Sequence, residues 1–342
     1  MKDRNITILG IESSCDETSA AIVVDGRKVL SCATASQNEL HEKFKGVVPE
    51  IASRAHLERI NIIIDEAIKR ADVDFDRIDA VAAVNMPGLI GSLLIGFTAG
   101  KTLAWTLGKP FIAVHHVCAH AYGAVLNHEG EAFPAIGLLV SGGHTSLFKC
   151  SSPLTMELIG ATQDDAAGEA FDKVATILDL GYPGGPVIDQ LAKEGNPRAI
   201  VFPRTWLRKK PLDFSFSGLK TAVLYHVRGK DLAKPDSSHL SRQEKADVAA
   251  SFQAAVVEVL VEKAVLACRE CGFPRLLVGG GVAANSYFRQ ELEKRMAKEK
   301  IELIMAPFKL CTDNAAMVAG LAYHQYQAGD FAGLDASVSS VM

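Results

Sequence analysis

The chain has 342 residues, 48% of them hydrophobic, with 28 glycines and a formal net charge of -4. That length exceeds what one compact core usually holds and predicts two domains of a well-packed α/β protein; the composition excludes collagen-like and disordered chains. A mildly acidic balance argues against general nucleic-acid coating and leaves RNA contact to a local basic patch. The first residues run directly into an apolar strand without the pattern of a signal peptide, and no stretch reads as an uninterrupted membrane span, so a soluble, cytoplasmic chain is expected. Seven cysteines, an odd number without framework spacing, read as thiols. Cys268 and Cys271 form a lone C-x-x-C pair late in a helical pattern, with no second pair to complete a tetrahedral site.

Residues 6–24 read as a β-hairpin with a polar, acidic tip, Ser13-Ser14-Cys15-Asp16-Glu17-Thr18. Residues 49–70 carry helical periodicity behind Pro49, and His56 reads as a surface or helix-packing residue. A buried strand at 78–85 runs into a glycine turn and an apolar helix ending at Leu107. Gly96 and Gly100-Lys101-Thr102 imitate a phosphate-binding loop, but one residue is missing between the glycines and the stretch lies inside the helix. These glycines are read as close-packing positions.

A strand at 110–114 feeds the run His115-His116-Val117-Cys118-Ala119-His120. On a helix, His116 and His120 stand at i and i+4 on one face and can grip a single divalent ion, with Asp313 of Thr312-Asp313-Asn314 as candidate third ligand. Two imidazoles and one carboxylate leave coordination positions open, as a catalytic metal requires. Such a pair also arises by accident; its place at the end of a strand in an α/β protein is what favours a site.

Residues 135–149 read as another strand, turn and strand around Ser141-Gly142-Gly143-His144. Gly10, Ser14, Thr18 and Ser19 recur at the same offsets as Gly137, Ser141, Thr145 and Ser146, and the strand and glycine turn of 78–91 are echoed at 275–285. The repeat implies a duplicated, two-lobed fold with a cleft between the lobes. Residues 168–175 are expected to be helical, and 181–189 to turn into a helix, where Gly184-Gly185-Pro186 suits either a ligand close to the backbone or an ordinary helix start. Residues 214–220 read as a polar-aromatic loop or strand. Arg204, Arg208, Lys209 and Lys210 around Trp206 form the strongest basic cluster, either solvated surface or an RNA-contacting edge, with Lys43, Lys45 and Arg54 as the second such place.

Across nearly its whole length the chain resembles the tRNA N6-adenosine threonylcarbamoyltransferases, the bacterial TsaD type, of the actin-like ATPase superfamily. The stretches that carry the resemblance begin at Gly10, His115, Ser141, Gly168, Gly181, Phe214, Gly280 and Cys311, in that order. The resemblance implies an α/β, ribonuclease H-like duplicated fold, with His116, His120 and Asp313 as metal ligands and Fe(II) or Zn(II) as the ion. It implies nucleotide or acyl-adenylate contacts at Leu139, Val140, Ser141, Gly142, Gly143, Asp172, Gly185, Asp189 and Asn285. The implied reaction moves a threonylcarbamoyl group from threonylcarbamoyl-AMP to the adenosine 3′ of the anticodon. The implied partners are tRNA, an inactive homologous dimerisation partner (TsaB-like) and a P-loop ATPase (TsaE-like). Asp16 or Glu17 at the first hairpin tip is the candidate proton acceptor. Lobe one is expected to span 1–115, with a C-terminal helix 325–342 packing back on it, and lobe two 116–324. The competing readings are a zinc metalloprotease, against which Val117 stands where the usual motif has glutamate, and an actin-like ATPase scaffold.

Overall fold

The computed structural model describes residues 5–44, 46–229 and 236–341. The chain forms two compact units, one of Met1–Ala132, Ser152–Thr155 and Ala306–Met342, the other of Phe133–Ser151 and Met156–Met305.

The first unit is built on β1 (Thr7–Glu12), β2 (Glu17–Val24), β3 (Lys28–Ser36), β4 (Ala80–Met86) and β5 (Phe111–His115), in the order β3-β2-β1-β4-β5. Its helices are α1 (Asn38–Glu42), α2 (Pro49–Ala71), α3 (Ile90–Leu107), α4 (His116–Gly123) and, after the second unit, α10 (Ala315–Ala328). Alternate residues of a strand face opposite ways. On β1, Leu9 and Ile11 join the apolar cluster with Ile60 and Ile64 of α2 and Phe97 of α3. Gly10 points the other way, where a Cβ would stand 2.4 Å from the Ala315 carbonyl oxygen of α10. Helix α3 is apolar and long enough to span a membrane by length and composition. The expectation that no segment has that length is therefore corrected; α3 instead lays Gly96 against Ser13 and Ile11, and Gly100 against Ala83 and Phe111.

The second unit repeats the plan with β6 (Ala135–Val140), β7 (Thr145–Ser152), β8 (Thr155–Ala161), β9 (Arg275–Gly279) and β10 (Glu302–Met305), in the order β10-β9-β6-β7-β8. The register recurs too. Gly10↔Ala21 and Glu12↔Ser19 in the first hairpin correspond to Gly137↔Phe148 and Leu139↔Ser146 in the second, and the parallel pair Gly10↔Ala82 to Gly137↔Leu277. The helices are α5 (Ala167–Ile177), α6 (Gly184–Ala192), α7 (Ser217–Arg228), α8 (Arg242–Cys271) and α9 (Ser286–Glu299). Cys268 is buried on α8 and, like Cys271, is a free thiol.

Four expectations change. The boundary falls after Ala132, not at 115, because α4 continues from β5 and packs against α10. The expected helix 325–342 ends at Ala328, where Gly329 turns left-handed at φ 69° and closes the last turn. Residues 330–341 are irregular and pack on the first unit: Ala332 N–H donates to the Phe111 carbonyl (2.8 Å), Ser339 N–H to that of Asn85 (2.9 Å), and Lys101 to the carbonyls of Leu334 and Ala336. Residues from Ser217 on are helix, Asp164 accepting from the main-chain N–H groups of Phe216 and Ser217 at its start. His56 is fully buried, bonded to Thr18 Oγ1 (2.8 Å) and the Cys15 carbonyl (2.9 Å), so it ties α2 to the first hairpin tip.

Gly10→Val drives a branched side chain into the α10 backbone. It is expected to cost about 1–3 kcal/mol or more and to lower the thermal midpoint followed by circular dichroism. Gly142→Ala, where a Cβ meets nothing within 4 Å, is expected to leave the midpoint unchanged.

Candidate metal centre and glycine-lined site

Helix α4 begins where β5 ends, which sets His116 and His120 on one buried face of its first turns, 5% and 2% exposed. Their rings meet edge to face with centroids 4.6 Å apart. Asp313 arrives from the other end of the chain. Its Oδ1 lies 2.8 Å from His120 Nε2 and 3.8 Å from His116 Nε2. These spacings bracket the roughly 3–3.5 Å that separates two ligands bonded at about 2.1 Å to one ion. The loop bearing Asp313 is fixed by Asn314, whose side-chain oxygen accepts from Met317 N–H at the start of α10 while its amide donates to the carbonyls of Leu310 and Thr312. Among the described residues, His116, His120 and Asp313 are the group whose ligand atoms all lie within 4.8 Å of one another.

Sequence reasoning missed Glu12. It is fully buried at the end of β1, and its Oε2 lies 2.9 Å from His116 Nδ1 while Oε1 accepts from Ser14 N–H at 2.6 Å. A carboxylate behind one ring nitrogen fixes the proton on Nδ1 and turns the Nε2 lone pair outward, the usual support for a metal-ligating imidazole. With no metal bound, burial pulls the His116 pKa down, but the charges of Glu12 and Asp313 and the hydrogen bond to Glu12 outweigh it and hold the value at about 9, so an ion that takes Nε2 displaces its proton. The available signal was a lone acidic residue inside an otherwise apolar strand. The donor set and burial thus fit a divalent ion, with positions left open for a ligand. Burial pushes the Cys118 thiol up to about 11, and it lies outside this group.

Asp16 and Glu17 sit half-buried at the first hairpin tip. Burial, then the charges of Asp313 and Asp16, raise the Glu17 carboxyl to about 10.

In the second unit the β6–β7 tip is closed by Ser141 N–H to the His144 carbonyl (2.8 Å) and His144 N–H to Ser141 Oγ (3.1 Å). It leaves Gly142 and Gly143 exposed, with open space where side chains would be. Leu139 and Val140 are fully buried, so any ligand contact from them runs through the main chain. Three more backbones close on this region: Gly168 of α5 against Ser141, Gly280 at φ +93° against Val140, and Gly184 of α6 against Asp172. Asp172 accepts from Gly184 N–H at 2.6 Å, and Asp189 accepts from Ser286 Oγ and N–H at the start of α9. Asn285 caps α9 and bonds Gln253 at 2.7 Å. The three polar side chains therefore bind helix starts together; Gly185, like Gly142 and Gly143, faces open space.

The basic cluster is thinner than it reads. Arg204 is bonded to Glu258 (2.9 Å) and the Phe202 carbonyl, and Lys210 pairs with Asp213 at 3.4 Å. Arg208 and Lys209 are exposed and make no ion pair among the described residues. Of the second place, Arg54 is exposed on α2, the Lys43 amine lies 5.0 Å over the Phe44 ring, and Lys45 lies outside the described residues.

A family model described as TsaD, tRNA N6-adenosine threonylcarbamoyltransferase, matches residues 28–320. A protein of that name from Moorella thermoacetica is 51% identical over 332 residues, covering 96% of this chain and 94% of its own. One from Clostridium botulinum strain Kyoto is 48% identical over 331 residues, covering 97% and 96%. Among solved structures, full-length HypF in a phosphate- and nucleotide-bound form matches with a TM-score of 0.64 at 14% identity, over 96% of this chain and 56% of that one. At that identity the likeness speaks to the fold alone, which is the two-lobed actin-like fold. Matched by the family model over most of its length and sharing about half its residues with near full-length relatives, the chain belongs to the tRNA N6-adenosine threonylcarbamoyltransferase family, transferases that modify tRNA.

Proposed function

We propose that the chain moves the threonylcarbamoyl group of threonylcarbamoyl-AMP onto the N6 amine of the adenosine 3′ of the anticodon, tRNA position 37, in tRNAs reading codons that begin with A. The observation that carries this reading is the buried group of His116, His120 and Asp313 with Glu12 behind it, in a chain of this family. These three residues hold one divalent ion, Fe(II) or, with the same donor set, Zn(II). When bound, that ion supplies Lewis-acid polarisation of the acyl oxygen. Glu12 acts as a positioning residue by holding the His116 ring.

The carbamoyl carbon is already activated by its phosphate anhydride bond, so the protein's task is to orient the reactants and meet developing negative charge. The adenine amine bonds to that carbon, the carbon–oxygen bond to phosphate breaks, and AMP leaves. The amine's proton goes to a carboxylate at the first hairpin tip. Asp16 and Glu17 are the two candidates for it; burial, then the charges of Asp313 and Asp16, raise the Glu17 carboxyl to about 10. Main-chain N–H groups of Gly142 and Gly143 meet the leaving phosphate, on a tip closed by the Ser141 N–H bond to the His144 carbonyl, with Leu139 and Val140 contributing only backbone. Asp172, Asp189 and Asn285 hold the helix starts that shape the nucleotide site, and Gly185 leaves room in it. The reading places the chain in the cytoplasm with a TsaB-like and a TsaE-like partner.

The direct test supplies wild-type protein, those partners, tRNA and labelled threonylcarbamoyl-AMP, and looks for N6-threonylcarbamoyladenosine among the digested nucleosides. Its absence overturns the reading. His116→Ala, His120→Ala and Asp313→Ala are each expected to lose bound metal, by elemental analysis, with the circular dichroism spectrum kept. Glu12→Gln is expected to weaken metal affinity about ten- to a hundredfold by removing the brace on His116. Gly185→Val is expected to lower calorimetric affinity for AMP without lowering the thermal midpoint, since the added side chain meets only open space.

A further inference from the structure

Lys263 of α8 is 1% exposed, which is unusual for a lysine without a carboxylate partner. Its ammonium donates to the Asp213 carbonyl, its one hydrogen-bond acceptor among the described residues. It also lies over the rings of Phe214 at 5.2 Å and Trp206 at 5.9 Å. The nearby carboxylates are engaged elsewhere. That of Asp213 accepts from Ala161 N–H and Gln163 and pairs with Lys210, and Glu262 pairs with Arg295. An ammonium has three donors, and two of them have no acceptor among the described residues, a costly state that a ligand with acceptor atoms relieves. Burial accordingly lowers the Lys263 pKa.

Lys263 lies beside an opening. With Trp206, Leu207, Arg208, Pro211 and Leu266, Lys263 lines a cavity of about 450 Å³. Trp206 remains 50% exposed, and the segment carrying it is pinned to α8 through the Arg204 bond to Glu258. Arg208 lines the cavity and Lys209 follows it in the chain; both are exposed and make no ion pair among the described residues. The arrangement therefore offers an aromatic face, buried donors beneath it, and uncompensated cations at the rim. A small carboxylate uses the donors but neither the indole nor the rim. An unpaired nucleobase on a phosphate chain uses all three.

We propose that this cavity receives an unpaired base of the RNA substrate, stacked on Trp206 with its acceptor atoms turned to the Lys263 ammonium and its flanking phosphates beside Arg208 and Lys209. The proposal rests on the proposed tRNA-modifying function and adds the place and chemistry of one contact. Stacking carries no net charge, so it is separable from phosphate contact by its indifference to salt.

The chain has two tryptophans, Trp105 and Trp206. Labelled with 5-fluorotryptophan and mixed with unlabelled partner proteins, it gives two fluorine signals, assigned with Trp206→Phe. Adding tRNA is expected to shift the Trp206 signal and not that of Trp105, saturating with the binding seen by anisotropy of labelled tRNA. Trp206→Ala is expected to weaken tRNA binding about ten- to a hundredfold with an unchanged salt slope, and Trp206→Phe to keep most of the affinity. Lys263→Met is expected to weaken binding similarly. Arg208→Ala with Lys209→Ala should instead flatten the salt slope. Full-affinity tRNA binding by Trp206→Ala with the Trp206 signal unmoved in wild type overturns the base pocket while leaving the tRNA reading in place. The same shift produced by acetate or inorganic phosphate alone overturns it in favour of a simple anion site. Failure of the wild-type assembly to bind tRNA at all removes the reading beneath it as well.

Discussion

Helix α10 rests on the bare main chain of β1 at Gly10, and the metal-ligand group depends on that closeness. Gly10 and Glu12 lie on the same face of one strand, two residues apart. The absent side chain at the first lets Ala315 sit against the strand, and Ser19 on the neighbouring strand accepts from Ala315 N–H at 3.0 Å. Asn314 then caps the helix and ties the preceding turn, which leaves Asp313 pointing at His120. The carboxylate at the second position reaches His116 from behind. One strand face thus places the third ligand and orients the first.

The second unit uses the same close approach of main chains for a different end. Leu139 holds the register position that Glu12 holds in the first unit, opposite Ser146 as Glu12 is opposite Ser19. With an apolar residue there, no carboxylate enters the core at that position. The close glycine contacts instead bring the starts of α5 and α6 and the turn after β9 against neighbouring main chain. The duplicated plan therefore carries a carboxylate-and-imidazole group in one copy and a glycine-lined tip in the other, and the difference lies in which side chains the equivalent strand ends bear.

Buried charge is handled in two ways. Glu12 and His116 satisfy one another, so that pair is complete within the protein. Lys263 has aromatic faces and a single carbonyl, and its remaining donors are unmet among the described residues. Exposed ion pairs such as Lys69 with Asp65 are worth little beside either, because solvent screens them.

Period and punctuation determined the local elements. Alternation marked both hairpins, Pro49 and helical spacing marked α2, and a glycine after each buried strand marked the turns into α3 and α9, because these signals act within a few residues. The recurrence of Gly, Ser, Thr and Ser at fixed offsets was enough to reveal the duplication, and the i, i+4 spacing enough to pair His116 with His120. Only the tertiary structure decided the relations between distant residues. Glu12 reads as one acidic residue in a strand until His116, more than a hundred positions away, is brought to it. Arg204 reads as a free cation until α8 supplies Glu258, and residues 329–341 read as helix until Gly329 ends α10 and the tail bonds along β5 and the end of β4. Lys263 sits in an ordinary helical pattern, and nothing local tells that folding removes it from water with one carbonyl as its acceptor among the described residues. The physical reason is common to all four: burial and charge pairing are set by which surfaces meet, and a sequence orders residues along the chain, not across the core.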